Sequence, residues 1–187
     1  MTGQPGSVTS GSPAISAAAG YSALETLRNG RRLEIRALKP ADQAGLLAAV
    51  NRTSAQSLTR RFFVPKRQLT APEIAFFMNV DFVKHVALVA SLGEDGQQLI
   101  VGGGRYILVE PGLAELAFAV VDAYQGQGIG AALLRHLGML ARNAKLRALV
   151  AEVLPENAPM LKVFDRSGYR LRQQRDADVV HVTLYLD

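Results

Sequence analysis

Apolar and polar residues alternate over Arg32 to Ala37 (Arg-Leu-Glu-Ile-Arg-Ala), and a period of two predicts a strand with one buried face. His85 to Ser91 and Leu99 to Leu108 read as two further strands, joined by the turn-forming Gly93-Glu-Asp-Gly96. Gly102-Gly103-Gly104 interrupts the second of these and predicts a bulge or a close backbone approach. Leu113 to Val121 is a nearly all-apolar strand broken by one charge, Glu115. Leu146 to Leu154 is a buried strand, and Tyr169 to Gln173 with Val179 to Leu186 close the chain as a hairpin.

Helical spacing fills the gaps. Pro40 suits a first helical turn ahead of Leu46, Leu47 and Val50. Ser54 caps a segment containing Leu58, Phe62 and Phe63, and Thr70-Ala-Pro-Glu73 is a capping box before Ile74, Phe77 and Met78. Ile129 to Asn143 turns Leu133, Leu134, Leu137, Leu140 and Ala141 inward, and its His136 reads as a surface or satisfied residue. Asn157 with Pro159 opens a last helix, which Gly168 ends. The order predicts a mixed α/β fold: a mostly antiparallel central sheet, helices on both faces and one parallel βαβ crossover. Residues 1–27, rich in Gly, Ser, Ala, Pro and Thr, predict a flexible tail or linker, with a turn of helix over Tyr21 to Leu27 packing on a domain spanning 28–187.

Chemistry concentrates at Phe118 to Ala141, where an apolar strand enters a glycine-rich loop that opens directly into a helix. Gly126, Gly128 and Gly130 let a ligand reach the backbone, and the free N–H groups at the helix N-terminus select an anion, most often a phosphate. Gly126-x-Gly128-x-x-Ala131, with Glu152 at the end of the next strand, also fits a dinucleotide fingerprint. The strand pattern before the loop is antiparallel, however, and a dinucleotide domain begins with this unit.

Gln125-x-x-Gly128-x-Gly130 resembles the pyrophosphate loop of the GNAT acetyltransferase superfamily, which binds acetyl-CoA. Asn157-Ala-Pro-Met-Leu-Lys-Val-Phe164-Asp-Arg-Ser-Gly168-Tyr169 is similar to that family's closing motif. The resemblance spans roughly Arg32 to Leu186 and implies a GNAT-type fold with acetyl-CoA as acyl donor. It implies that the backbone of Phe118, Ala119 and Val120 pairs with the pantetheine amides, and that Val120 or its neighbour polarises the thioester carbonyl. The loop Gln125, Gly126, Gln127, Gly128, Ile129, Gly130 and Ala131 would hold the pyrophosphate, and Asn157 the pantetheine arm. Glu115, in an Ala-Glu-Leu-Ala-Phe-Ala-Val context, would be the general base for an amine, its pKa raised by burial. Asp81 and His85 are reserve bases. Phe164 stands where many members carry an acidic tyrosine and keeps only a packing role; Tyr124 and Tyr169 lie off that position. The run Ser57 to Phe63, followed by Asn79 to Ala90, is similar to bacterial protein lysine acetyltransferase domains and implies a protein lysine as acceptor, with acyl-CoA synthetases among the targets. A small-molecule amine, or a non-catalytic acyl-CoA-binding role, stays open. Members of the family occur as monomers or homodimers.

The 187-residue chain suggests one domain. It has no cysteine, which excludes disulfides and thiolate chemistry, and its three histidines have no metal-ligand spacing. No apolar run is long enough for a membrane span and no secretory leader is visible, so a cytoplasmic location is expected. The net charge of +5 is uneven: Arg28 to Glu73 holds ten Lys or Arg against three Asp or Glu, hence +7, leaving −2 elsewhere. That half suits CoA phosphates, an acidic protein surface or simple solvation; no aromatic-rich nucleic-acid motif accompanies it. Arg60-Arg61-Phe62-Phe63 reads either as a grip for an acidic group or as an amphipathic turn with two core aromatics.

Overall fold

The computed structural model describes residues 17–187. Its strands are β1 (Ser22–Thr26), β2 (Arg32–Ala37), β3 (His85–Glu94), β4 (Gln97–Glu110), β5 (Leu113–Val120), β6 (Ala148–Val153), β7 (Arg170–Asp176) and β8 (Val179–Tyr185). They form one sheet in the order β1-β2-β3-β4-β5-β6-β8-β7. Every neighbouring pair is antiparallel except β5 with β6, the expected crossover. The helices are α1 (Gln43–Asn51), α2 (Ala55–Phe62), α3 (Ala71–Met78), α4 (Ile129–Asn143) and α5 (Ala158–Asp165). Local chemistry sets their starts: Ser54 accepts from the Ser57 N–H, Thr70 and Glu73 form a reciprocal capping box, and Asn157 accepts from the Met160 N–H.

The pleat of the sheet divides the core in two. Ala114, Leu116 and Phe118 of β5 join Leu133, Leu134, Leu137 and Ala141 of α4 and Phe164 of α5 in the larger cluster. Leu38, Ala49, Ala87, Val89, Ile100 and Val121 form the smaller one beside α1. The glycine triplet brings α4 close. The register of β3 with β4 shifts where Ala90 faces Gly102 and Ser91 faces Ile100, so Val101 is the bulged residue. A Cβ on Gly104 would lie 2.8 Å from both Leu137 and Phe118, so the helix seats only on a bare backbone there.

One expectation is corrected at the N-terminus. Tyr21 to Leu27 forms no helical turn; Ser22–Thr26 is strand β1, in register with Arg32–Arg36. The segment is also tied to α4. Glu25 bonds Arg135 and His136, and Tyr21 bonds the other ring nitrogen of His136, which is buried and satisfied on both sides. Residues 1–16 of the expected tail lie outside the described residues.

Gly104→Ala is expected to destabilise the fold by about 1–3 kcal/mol, the usual cost of overpacking a tight core. Gly103→Ala, whose nearest neighbour would be 3.4 Å away, is expected to cost less. Urea unfolding of the two variants checks the order.

Candidate active site

The sheet forks at its one parallel pair. β5 pairs with β6 only through Leu113–Glu115 and Ala148–Val150. Beyond that point β5 stays with β4 as far as Val120, while β6 stays with β8 as far as Val153. The β6-facing edge of Leu116–Val120 therefore has no strand partner, and apart from Val120 C=O, which accepts from the Gln125 side chain, its backbone groups are available to an extended ligand. Phe118 and Phe164 meet edge to face at 5.7 Å behind the fork, and Asn157, 8% exposed, starts α5 beside it. Phe164 is fully packed, as the packing role requires.

At the open end of the fork lies the glycine loop. Gly126 and Gly128 have φ of 74° and 93°, a region that side chains other than glycine's rarely adopt. Gly128 is the N-cap of α4 and no side chain caps it. The first intrahelical bond runs from Ala132 N–H to Gly128 C=O, so the N–H groups of Ile129, Gly130 and Ala131 lack helical partners. Gly130 differs: it has ordinary φ, and a Cβ there would meet Phe118 only at 3.5 Å. The Gln125 side chain turns inward, donating to Val120 C=O at 3.0 Å and to Ser57 Oγ at 3.3 Å. Gln127 Nε2 donates to Ala123 C=O at 3.3 Å, and its Oε1 accepts from Asn29 at 3.1 Å. The loop offers a ligand its backbone rather than these side chains.

A feature the sequence reading missed joins the loop to α2. Asp122 accepts from the Ser54 N–H and Oγ at 2.7 Å and from Ser57 Oγ at 2.8 Å. Burial works against its charge, but these bonds outweigh burial and hold the carboxyl below its ordinary range. Further along α2, Leu58, Arg61 and Phe62 supply one wall of a cavity of about 90 Å³ on the face of β5 opposite α4.

That cavity is apolar, lined by Leu58, Phe62, Phe77, Ala117 and Ala119 among others, and its only charged lining residues are Arg61 and Arg105. Arg105 packs over the Phe77 ring at 4.1 Å and donates to Phe77 C=O at 3.3 Å. Its Nη1 lies 3.0 Å from His85 Nε2, and His85 Nδ1 lies 3.1 Å from Asn79 C=O. The only tautomer satisfying both contacts is neutral, with the proton on Nδ1. Burial, reinforced by Arg105, lowers the His85 pKa in agreement. Both ring nitrogens are thus occupied, which removes His85 as a free base. Asp81 Oδ1 accepts three backbone N–H groups, from Val83, Lys84 and His85, and is a turn cap.

Glu115 is the last residue of β5 paired with β6, so it stands at the apex of the fork. Its expected burial is corrected: the side chain is exposed, because it alternates away from the α4 face that buries Ala114 and Leu116. It is close enough to Arg61 to support that charge. Tyr124 donates to both oxygens of Glu94 at 3.0 Å, and the Tyr169 hydroxyl lies over Gly138 in the middle of α4. Neither tyrosine is held at the fork. Of the Arg60 to Phe63 run, Phe62 packs against Phe77 at 5.9 Å, whereas Phe63 is an exposed left-handed C-cap and no core residue.

A sheet forked at its single parallel pair, with a glycine loop and an uncapped helix N-terminus beside the fork, has the architecture of an acyltransferase. The chain belongs to the acetyltransferase (GNAT) family, which it matches over residues 53–169. It is 32% identical over 168 residues to an acetyltransferase of Pseudomonas aeruginosa, covering 89% of each chain. It is 31% identical over 144 residues to the acetyltransferase Pat of Mycolicibacterium smegmatis, covering 76% of this chain but only 42% of that longer protein. Among solved structures, the GNAT domain of S. lividans PAT superposes with a TM-score of 0.79 at 33% identity, covering 88% of this chain and 96% of that one. An acetyltransferase of Salmonella typhimurium, solved with acetyl-CoA, shares the fold at a TM-score of 0.67 and 21% identity, covering 83% of this chain and 94% of its own. The dinucleotide alternative falls with the topology: a doubly wound parallel sheet is absent among the described residues, and Glu152 is exposed, 3.6 Å from His181. No helix among the described residues is long and apolar enough to cross a membrane.

Asp122→Ala is expected to loosen α2, raising amide exchange across Ala55–Phe62 by about tenfold, the worth of one charge-assisted bond. The sign with pH follows from the lowered pKa. The clasp contributes fully above the ordinary carboxylate value of about 3.9 and is lost as pH falls through the lower folded value. Hydrogen exchange across that range checks both.

Proposed function

We propose that the chain is an acetyl-CoA-dependent N-acetyltransferase whose acceptor is a protein lysine. The observation that carries the reading is the fork, open beyond Glu115 and beside the glycine loop. The edge of Phe118, Ala119 and Val120 takes the pantetheine amides as a short added strand, with Asn157 along the arm. The backbone from Gln125 to Ala131, at the positive end of α4, takes the pyrophosphate. Acetyl-CoA supplies the activated acyl group.

Glu115 takes a proton from the acceptor ammonium, and its exposure lets that proton pass on to water. The amine nitrogen then bonds to the thioester carbon, and the Val120 N–H steadies the oxyanion. Collapse breaks the C–S bond and releases the thiolate. Phe164 has no proton to give, and the Tyr124 and Tyr169 hydroxyls are held elsewhere. A thiol with a pKa of about 8.5 is a good enough leaving group to depart as the anion. The lysine acceptor draws support from the likeness to Pat and to the S. lividans PAT domain, and acyl-CoA synthetases are the first acceptors to try.

Calorimetric titration is expected to show micromolar acetyl-CoA binding and none for NAD; NAD binding alone would sink the donor assignment. Glu115→Gln is expected to bind acetyl-CoA normally while kcat for a lysine peptide falls roughly 10²–10⁴-fold. Unchanged turnover on every acceptor would remove Glu115 as the base.

A further inference from the structure

We propose that Arg61, backed by Arg105, forms a carboxylate-binding subsite in the acceptor pocket, so that the enzyme prefers an amine whose carrier presents a carboxylate beside it. The proposal rests on the reading of Glu115 as the base, which makes the cavity beside it along β5 the side from which the acceptor enters.

The two guanidinium groups reach one apolar cavity from different elements, Arg61 from α2 and Arg105 from β4, and no acid lines it. Three basic residues of the 28–73 segment have acidic partners. Arg36 forms a two-pronged pair with Asp42, Lys66 pairs with Glu73, and Arg31 pairs with Glu94. Among the described residues, neither Arg61 nor Arg105 has a carboxylate within 4.0 Å.

Such an arrangement is costly as it stands. Burial, then repulsion from Arg61, lowers the Arg105 pKa to about 9. Burial also lowers that of Arg61, opposed only by Glu115. Both side chains are half-buried, and Glu115 supports Arg61 only from a distance, so two like charges beside an apolar cavity are left without a directly bonded carboxylate; an anion entering from solvent relieves that. Arg105 is fixed by Phe77 and His85 and cannot swing out to find one. The neutral tautomer of His85 keeps that contact from adding a third positive charge.

The cavity selects the chemistry of the anion. About 90 Å³ between Leu58, Phe62 and Phe77 suits a small planar group rather than a polyphosphate. A guanidinium fork matches the two oxygens of a carboxylate. The carboxylate comes either from an acidic side chain next to the target lysine or from the carboxyl of a free amino acid. Position supports either source. Glu115 and Ala117 are successive residues on one face of β5, so the base and the cavity wall lie side by side. The same cations favour loss of the proton that Glu115 takes from the acceptor ammonium, since the neutral amine is not repelled.

Two experiments on the whole chain test this. In the first, the Arg Nε–Hε NMR signals are followed while glutarate is added, which needs no acetyl transfer. Saturable shifts in the wild type that vanish in Arg61→Gln and partly return in Arg61→Lys support the subsite; no shift, or the same shift in Arg61→Gln, overturns it. In the second, kcat/KM is compared for a lysine peptide with a neighbouring Glu, its Gln counterpart, free lysine and lysine amide. The Glu peptide is expected to exceed the Gln peptide by about tenfold, shrinking toward unity in Arg61→Gln. Free lysine exceeding lysine amide, with no difference between peptides, assigns the carboxylate to a small acceptor. Equal values in both comparisons overturn the preference while leaving acetyl transfer intact. Absence of transfer to any acceptor, with glutarate shifts retained, would overturn the enzymatic reading rather than the anion subsite.

Discussion

Backbone polar groups must be paired or hydrated, and the fork is where this sheet leaves them unpaired. Three residues of parallel pairing hold β5 to β6, and then the strands part. The opening is maintained from behind. Gly104 lets α4 seat against Phe118, and Phe164 from α5 packs on the same ring, so β5 is fixed from one face along its open stretch. An exposed edge of this kind invites chance strand pairing. Here it is short and lies inside the sheet, where a second sheet does not fit and where the proposed thioester arm would lie.

Everything around the fork is joined to it by short-range bonds. Val121, just beyond β5, donates to Val101 C=O at the bulge, and Asp122 then clasps the start of α2. The Gln125 side chain spans from Val120 to Ser57, closing the same connection a second time. Donor loop and acceptor wall are therefore one mechanical unit.

The parts of this arrangement that were legible in the sequence are the local ones. Ser54, Thr70 with Glu73, Asn157 and Gly168 mark helix ends because a cap is made within a few residues. Ile129–Asn143 carries its apolar stripe unmistakably, and the glycines of the loop state their own conformations. Strand β1 was illegible because Ser-Ala-Leu-Glu-Thr has no strong preference; its pairing with Arg32–Arg36 decides it. The exposure of Glu115 was hidden by Ala117 and Ala119, small apolar residues on the more open face that make the strand look buried on both sides. Arg105 gave no signal at all. Its meaning lies in meeting a residue of α2 across one cavity, and no periodicity encodes that.

The uneven charge takes on a different sense once its partners are known. A nucleic-acid surface would need the excess cations solvated along one face. Here several of them are spent on neighbours: Arg36 on Asp42 at the start of α1, Lys66 on Glu73 at the start of α3, and Arg31 on Glu94. One that has no bonded carboxylate, Arg61, lines the apolar cavity, where it meets Arg105 of β4. On the proposed reading, the two sides of the fork meet anions by different means. The loop uses neutral amides and a helix end, suited to a diphosphate whose charge stays partly in water. The acceptor cavity uses full charges in an apolar setting, where one carboxylate in the right place is worth more than many at the surface. On that reading, selectivity for the acceptor is set by charge in an apolar cavity, and tolerance of the common donor by backbone.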